Sequence, residues 1–481
     1  MNKIGTQYFR ILFLSVVILL AGGNCRAQRE GYSVVVYFEG HQITDSLFLL
    51  KYRGSHAYRI SGQLMKNGKG LFRGEKLLTP GMYAVELKEK GNIAFLISEG
   101  ASQHFTLSAN PARLPLMLRF DRSPENQAFA DYQRFMEKTR KDQEALEKRL
   151  QNSKNDMDTA KVLNAAYKKL EQERDNKVAA INRQFPGSML ALFVNAVHEG
   201  AIPAPDFPMT LANRDNLIRD YYANYTKRHY FDLVDFSDPR ITATPLLEQK
   251  IDFYFKHAVH PHPDSVRAYV RPLLGKADIH DAVLSQAATF LYELYRGSLL
   301  PEHRQVCVDI AEEFILPHRS KFDDNAFVAR VEERTRMARL NPVGGKATDL
   351  VLQTPEGEKV PLSAVKAPFT ILYFFNPGCD ACQPVTDRLI RIYKGNKSRG
   401  MEVYAVYLNR DRKVWTDYIS SKGLDWINVY DPSGTEMVEE KYDIYAMPMI
   451  YVLDKDKKVV ARDVSVDRLP SLLLQRTPLG N

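Results

Sequence analysis

Cys379 and Cys382 stand three residues apart, with Asp380 and Ala381 between them. Two sulfurs at that spacing can exchange disulfides, provided that one of them ionises. A cysteine attacks as its thiolate, and a free thiol has a pKa near 8.5. The unpaired N–H groups at a helix N-terminus stabilise the anion and lower that value. The continuous apolar run Phe369–Phe375 reads as a buried strand, Asn376-Pro377-Gly378 as a turn, and Val385–Tyr393 as a helix. Cys379 is therefore expected at the start of a helix as the attacking thiolate. Cys382, one turn further in, would be shielded yet within bonding reach. Cys379 would form a mixed disulfide with a substrate and Cys382 would resolve it. A zinc half-site is the competing reading. Structural zinc wants four Cys or His ligands, and the chain has no second C-x-x-C. Neither a metal nor a cofactor is expected, and a chance pairing is the remaining alternative.

Other chemistry-bearing residues read more plainly. Cys307 shares a helical face with Ile310, Ala311 and Phe314, which predicts a buried, inert thiol rather than a third redox cysteine. His257, His260 and His262 lie between prolines and read as a surface turn, with metal binding as the alternative.

The whole chain bounds the setting. Its 481 residues allow about three domains at ~150 residues each. Hydrophobic content of 44% with 26% charged residues is globular composition. The net charge of +8 is spread out, with no dense Lys/Arg stripe interleaved with aromatics, so no nucleic-acid partner is expected. Lys3 and Arg10 precede an apolar run from Ile11 to Ala21, shorter than the ~20 residues that span a bilayer. Residues 1–27 read as a secretory signal peptide cut after Ala27. Cys25 offers a rival reading as a lipid-anchored cysteine, although Asn24 stands where a lipobox wants Gly, Ala or Ser. Either way the expected location is the periplasm or outer cell envelope. Few cysteines in a secreted chain exclude a disulfide scaffold.

Patterning divides the rest. Residues 28–121 alternate in short apolar runs separated by turn signals such as Asn67-Gly68 and Pro80-Gly81, predicting an antiparallel, sandwich-like β domain. At Ser123-Pro124 the period becomes helical. Residues 122–187 predict a hairpin of two long amphipathic helices, its charged face solvated or serving as a partner-binding arm. Residues 188–340 predict a helical bundle with breaks at Pro203, Pro239, Pro261, Pro272 and Pro301. Residues 341–481 alternate strand and helix and end in a hairpin, implying a mixed sheet covered by helices on both faces.

The string Phe374-Phe375-Asn376-Pro377-Gly378-Cys379-Asp380-Ala381-Cys382, followed downstream by Tyr445-Ala446-Met447-Pro448-Met449-Ile450, resembles the thioredoxin superfamily. The likeness is to its TlpA/ResA-like extracytoplasmic branch. It implies an α/β thioredoxin fold over 341–481 and thiol–disulfide oxidoreductase activity. It further implies that Pro448 is cis and faces the cysteines, and that Met447 offers backbone hydrogen bonds to a substrate peptide, with Gly378 also in the groove. The overall layout is similar to multidomain envelope thioredoxins of Bacteroidota, in which a β and a helical domain precede the thioredoxin module.

Three departures stand out. Gly378 occupies the usual Trp position before the first cysteine. Tyr373 stands where thioredoxins place a buried acid, and Val385 where some relatives place another. The resolving thiol thus lacks the usual proton acceptor. Pro384, early in the helix, is expected to distort its first turn. A peroxidase is disfavoured, since Leu372 and Asn376 replace the Pro and the Ser or Thr that peroxiredoxins carry before their reactive cysteine. No His or Lys separates the cysteines to make a strongly oxidising site, which favours a reductase or isomerase over an oxidase. The expected partners are disulfide-containing proteins and a membrane thiol electron donor. The alternative function is an envelope binding or scaffold protein with a vestigial thioredoxin module.

Overall fold

Phe369–Phe375 (β11) is buried along nearly its whole length, as a continuous apolar run requires, and it is an interior strand of a seven-stranded sheet. In this computed structural model the described residues are 31–476, except 39–45, 88–90, 111–112, 114–115, 153–156, 201, 209, 212, 299, 301–302 and 445. Residues 1–27 and Cys25, read above as a signal peptide or lipid anchor, lie outside them. Among the described residues no helix is long and apolar enough to cross a membrane.

The chain forms two compact units. The first comprises residues up to 260 together with 275–287. It opens with β1 (Tyr32–Phe38), β2 (Ser46–Arg53), β3 (His56–Leu64), β4 (Lys69–Gly74), β5 (Gly81–Leu87), β6 (Gly91–Ile97), β7 (His104–Ala109) and β8 (Leu118–Asp121). Two four-stranded sheets result, ordered β4-β1-β7-β8 and β3-β2-β5-β6. Alternate residues such as Val34, Val36, Leu47, Leu49, Val85 and Phe95 share one core. Asn67 and Gly68 both take positive φ (51° and 71°), which suits an Asn-Gly turn between β3 and β4. The antiparallel expectation holds for every pair except β1 and β7, which run parallel.

Helix α1 (Pro124–Asn152) begins at the predicted proline and α2 (Met157–Gln184) follows. The Asn126 side chain receives the Leu96 N–H (2.6 Å) and donates to the Leu96 carbonyl (2.8 Å), fastening α1 to β6. Next come α3 (Met189–Val197), α4 (Arg214–His229), α5 (Leu246–His257), α6 (Pro263–Ala277) and α7 (Asp281–Arg296). Pro272 does not break the chain, contrary to expectation, but lies inside α6. Val270, Leu273 and Leu274 around it are buried, and their packing outweighs the lost hydrogen bond.

The second unit comprises residues 261–274 and those from 288 onward. It contains α8 (His303–Ile310), which continues into one π turn (Ala311–Ile315), and α9 (Asn325–Ala338). Then follow β9 (Val351–Gln353), β10 (Lys359–Pro361), β11, α10 (Cys382–Asn396), β12 (Met401–Tyr407), α11 (Arg412–Lys422), β13 (Ile427–Tyr430), α12 (Val438–Lys441), β14 (Met449–Asp454), β15 (Val459–Arg462) and α13 (Leu469–Arg476). The sheet order is β10-β9-β13-β12-β11-β14-β15, with β11 parallel to β12 and antiparallel to β14. Ile371, Tyr373 and Phe375 point to one face, packed with Leu389, Trp415 and Leu469 of α10, α11 and α13. Leu372 and Phe374 point to the other, packed with Leu350, Leu362, Val438 and Tyr442. Strand β13 escaped the sequence reading. It is four residues long and carries Asn428, whose buried amide is satisfied by the Leu424 and Trp426 carbonyls.

Candidate active site

Strand β11 delivers the chain to the C-terminal edge of the sheet, and the turn that follows sets the cysteines. The Asn376 side chain accepts the Gly378 N–H at 3.0 Å and its carbonyl accepts the Cys379 N–H at 3.0 Å. The Cys382 N–H then bonds to the Cys379 carbonyl at 2.9 Å. The Gln383 side chain donates to the Pro377 carbonyl at 2.7 Å and clamps the turn from the helix side.

Helix α10 starts at Cys382, with Ala381 as N-cap. Cys379 therefore sits in the tight turn ahead of the helix and Cys382 in its first position. This corrects the sequence reading, which put Cys379 at the helix start and Cys382 a turn inside. Pro384 has no N–H to offer the residue 380 carbonyl, so the helical ladder cannot open there. The helix nevertheless runs unbroken through Pro384 to Asn396. Pro384 lies in the first turn, where N–H groups have no intrahelical acceptor.

The two thiols are free and differ in access. Cys382 is fully buried, whereas Cys379 is partly exposed and Gly378 exposed. Burial, and secondly a hydrogen bond with the Cys379 sulfur, pushes the Cys382 thiol well above its ordinary pKa. The Met447–Pro448 bond is cis. Across the sheet edge the Cys379 thiol meets the Met447 carbonyl at 3.7 Å, although 68 residues separate them in sequence. Met447 is 38% exposed. Gly378, Cys379 and Met447 thus lie at the surface, with Cys382 buried behind Cys379.

Tyr373 occupies the position of the missing acid. Its hydroxyl is buried, pairs with the Thr386 hydroxyl at 2.8 Å and donates to the Cys382 carbonyl at 3.4 Å. Thr386 donates to the same carbonyl at 2.9 Å. Burial raises the Tyr373 phenol far above its ordinary range, so it is no base at neutral pH. The Tyr373 and Thr386 hydroxyls, both uncharged, thus meet at the Cys382 carbonyl. Sequence reading missed Thr386, whose signal is its place four residues after Cys382 on the same helical face. It also missed the clamp by Gln383.

Cys307 is buried in α8, its thiol 3.7 Å from the Tyr292 carbonyl. Burial pushes that thiol up to about 12. His257 ends α5, while His260 and His262 are exposed. Among the described residues no group of three or more His, Cys, Asp or Glu side chains is placed to hold a metal ion.

Residues 343–462 match the AhpC/TSA family, and residues 166–298 match a domain of unknown function, DUF5106. The chain is 26% identical over 117 residues to the thiol-disulfide oxidoreductase ResA of Bacillus subtilis, covering 24% of this chain and 64% of that relative's length. Among solved structures, a domain of a possible thiol-disulfide isomerase from Cytophaga hutchinsonii is 34% identical, over 28% of this chain and 94% of that one, with a TM-score of 0.28. A thioredoxin-like protein from Bacteroides caccae is 21% identical, over 58% of this chain and all of that one, with a TM-score of 0.45.

Proposed function

We propose that this protein, whose C-terminal region is a thioredoxin-superfamily domain of the ResA/TlpA-like kind, is a cell-envelope thiol–disulfide oxidoreductase that reduces substrate disulfides through Cys379 and Cys382. The observation that carries this reading is the paired geometry: a partly exposed sulfur backed by a buried one and faced by the Met447 carbonyl at 3.7 Å.

The reaction runs in two displacements. The Cys379 thiolate attacks one sulfur of a substrate disulfide, forming a mixed disulfide and releasing the other as a thiolate that takes up a proton. Cys382 then loses its proton and attacks the Cys379 sulfur. The second substrate thiol leaves, and a Cys379–Cys382 disulfide remains. Two electrons and two protons have passed to the substrate, and an external dithiol donor at the membrane must return them. Because Tyr373 and Val385 stand where relatives carry an acid, the Cys382 proton goes to water or to the departing substrate thiolate. The exposed segment at Met447 supplies the edge on which an extended substrate segment pairs.

A second reading keeps the fold and drops the chemistry. Tyr373 in place of an acid favours it, since a binding or scaffold protein has no need of a proton acceptor. Insulin reduction by dithiothreitol separates the two. The chain lacking residues 1–27 should accelerate it, and Cys379→Ser should return the rate to background. Equal rates would leave the module vestigial. A reduction potential near the −270 mV of thioredoxin supports a reductase, and one near −120 mV an oxidase.

A further inference from the structure

Asp443 has no exposed surface, yet three guanidinium groups converge on it. Arg304 of α8 touches it directly, Arg334 of α9 lies at 3.5 Å and Arg462 of β15 at 3.4 Å. A carboxylate leaves water at this cost only where opposite charges surround it. The arginines are themselves anchored. Arg462 donates to the Ala338 and Leu340 carbonyls at 2.8 Å each, and Arg304 lies 3.9 Å from Asp463. Beside Asp443, Tyr442 is fully buried against Phe374, and its hydroxyl donates to the Thr348 carbonyl.

Asp443 is also the nearest charged residue upstream of Met447, four positions away. The chain therefore leaves a point held by α8, α9 and β15 and, within four residues, presents the carbonyl that faces Cys379. Four residues of chain span at most about 14 Å, so the cluster bounds how far the Met447 carbonyl can move.

We infer that Asp443, held by Arg304, Arg334 and Arg462, is a positioning residue for the Met447–Pro448 loop, so that helices α8 and α9 help set the substrate edge of the thiol site. This rests on the oxidoreductase reading above. The cluster touches neither sulfur, so its loss should impair substrate docking and leave the thiol chemistry alone.

The test uses the full chain with insulin as substrate. Asp443→Asn should raise KM about tenfold, with kcat and the rate of Cys379 alkylation by iodoacetamide changed less than about twofold. Arg334→Gln, at a partly exposed guanidinium, should raise KM about threefold. A merely structural role would reduce the active fraction, lowering kcat at constant KM, and that outcome overturns the inference. So does an alkylation rate that falls in step with turnover. If Asp443→Asn does not fold, Arg334→Gln decides by the same criteria. If the parent chain reduces no more insulin than Cys379→Ser, the oxidoreductase reading has failed by itself. Amide exchange at Ala446, Met447 and Met449 then decides the positioning role. Exchange about tenfold faster in Arg334→Gln, with the rest of β14 unchanged, supports it, and unchanged exchange refutes it.

Discussion

Cys382 and Cys307 are both buried thiols on helices, and burial raises the pKa of both. Their surroundings nevertheless differ. Cys307 faces a backbone carbonyl and the side chains of Tyr292 and Tyr295, and among the described residues no second sulfur bonds it. Cys382 lies against Cys379, which reaches the surface and the Met447 carbonyl. A buried thiol by itself is inert. It becomes a resolving group when a neighbouring sulfur, oxidised by substrate, is brought within bonding distance. Access and partnership, more than the acidity of the isolated thiol, distinguish the two regions.

Removing the exposed sulfur should break the comparison most completely. Cys379→Ser is expected to abolish protein-dependent insulin reduction, while Cys307→Ser should leave it within about twofold of the parent chain. A comparable loss in both variants would erase the distinction. Labelling sharpens it next. With a thiol raised to about 12, Cys307 should react with iodoacetamide at neutral pH roughly a thousandfold more slowly in the folded chain than in urea, as mass spectrometry of the labelled peptides would show.

The same shift makes a stability prediction. A thiol whose folded pKa lies above its unfolded value near 8.5 favours the folded state below that value, and the advantage is lost as pH rises toward about 12. Urea unfolding should therefore show about 2 kcal/mol of stability lost between pH 8 and pH 10 in the parent chain that Cys307→Ala does not lose. The smallest effect is expected beside the redox pair. Tyr373→Phe removes the hydroxyl bonded to Thr386 and should cost about 1 kcal/mol in the same unfolding assay. Because the phenol is no base, insulin reduction should stay within about threefold. A far larger loss of turnover would give Tyr373 a part in proton transfer.

Much of the fold was legible because its signals are local. The apolar run of β11, the Ser123-Pro124 helix start and the Asn67-Gly68 turn each report a preference of a few adjacent residues. Where the reading erred, a non-local term prevailed. Packing of Val270, Leu273 and Leu274 keeps α6 whole across Pro272. The parallel pairing of β1 with β7 joins strands far apart in sequence, which alternation within either strand cannot reveal. Strand β13 is short and its polar Asn428 hides the apolar period until its hydrogen bonds are seen.

The sequence alone determined that two cysteines stand three residues apart after a buried strand, and that an X-Pro step lies downstream in a strand–helix alternation. Those are facts of composition and spacing, and elementary chemistry interprets them. Only the tertiary structure decided that the Met447 carbonyl lies 3.7 Å from the Cys379 thiol, that the Tyr373 and Thr386 hydroxyls bond the Cys382 carbonyl, and that Asp443 gathers three arginines. Each of those depends on the free energy of bringing distant groups together and shedding their water. That balance is settled by the whole packed sheet and its helices, and no short stretch of chain contains it.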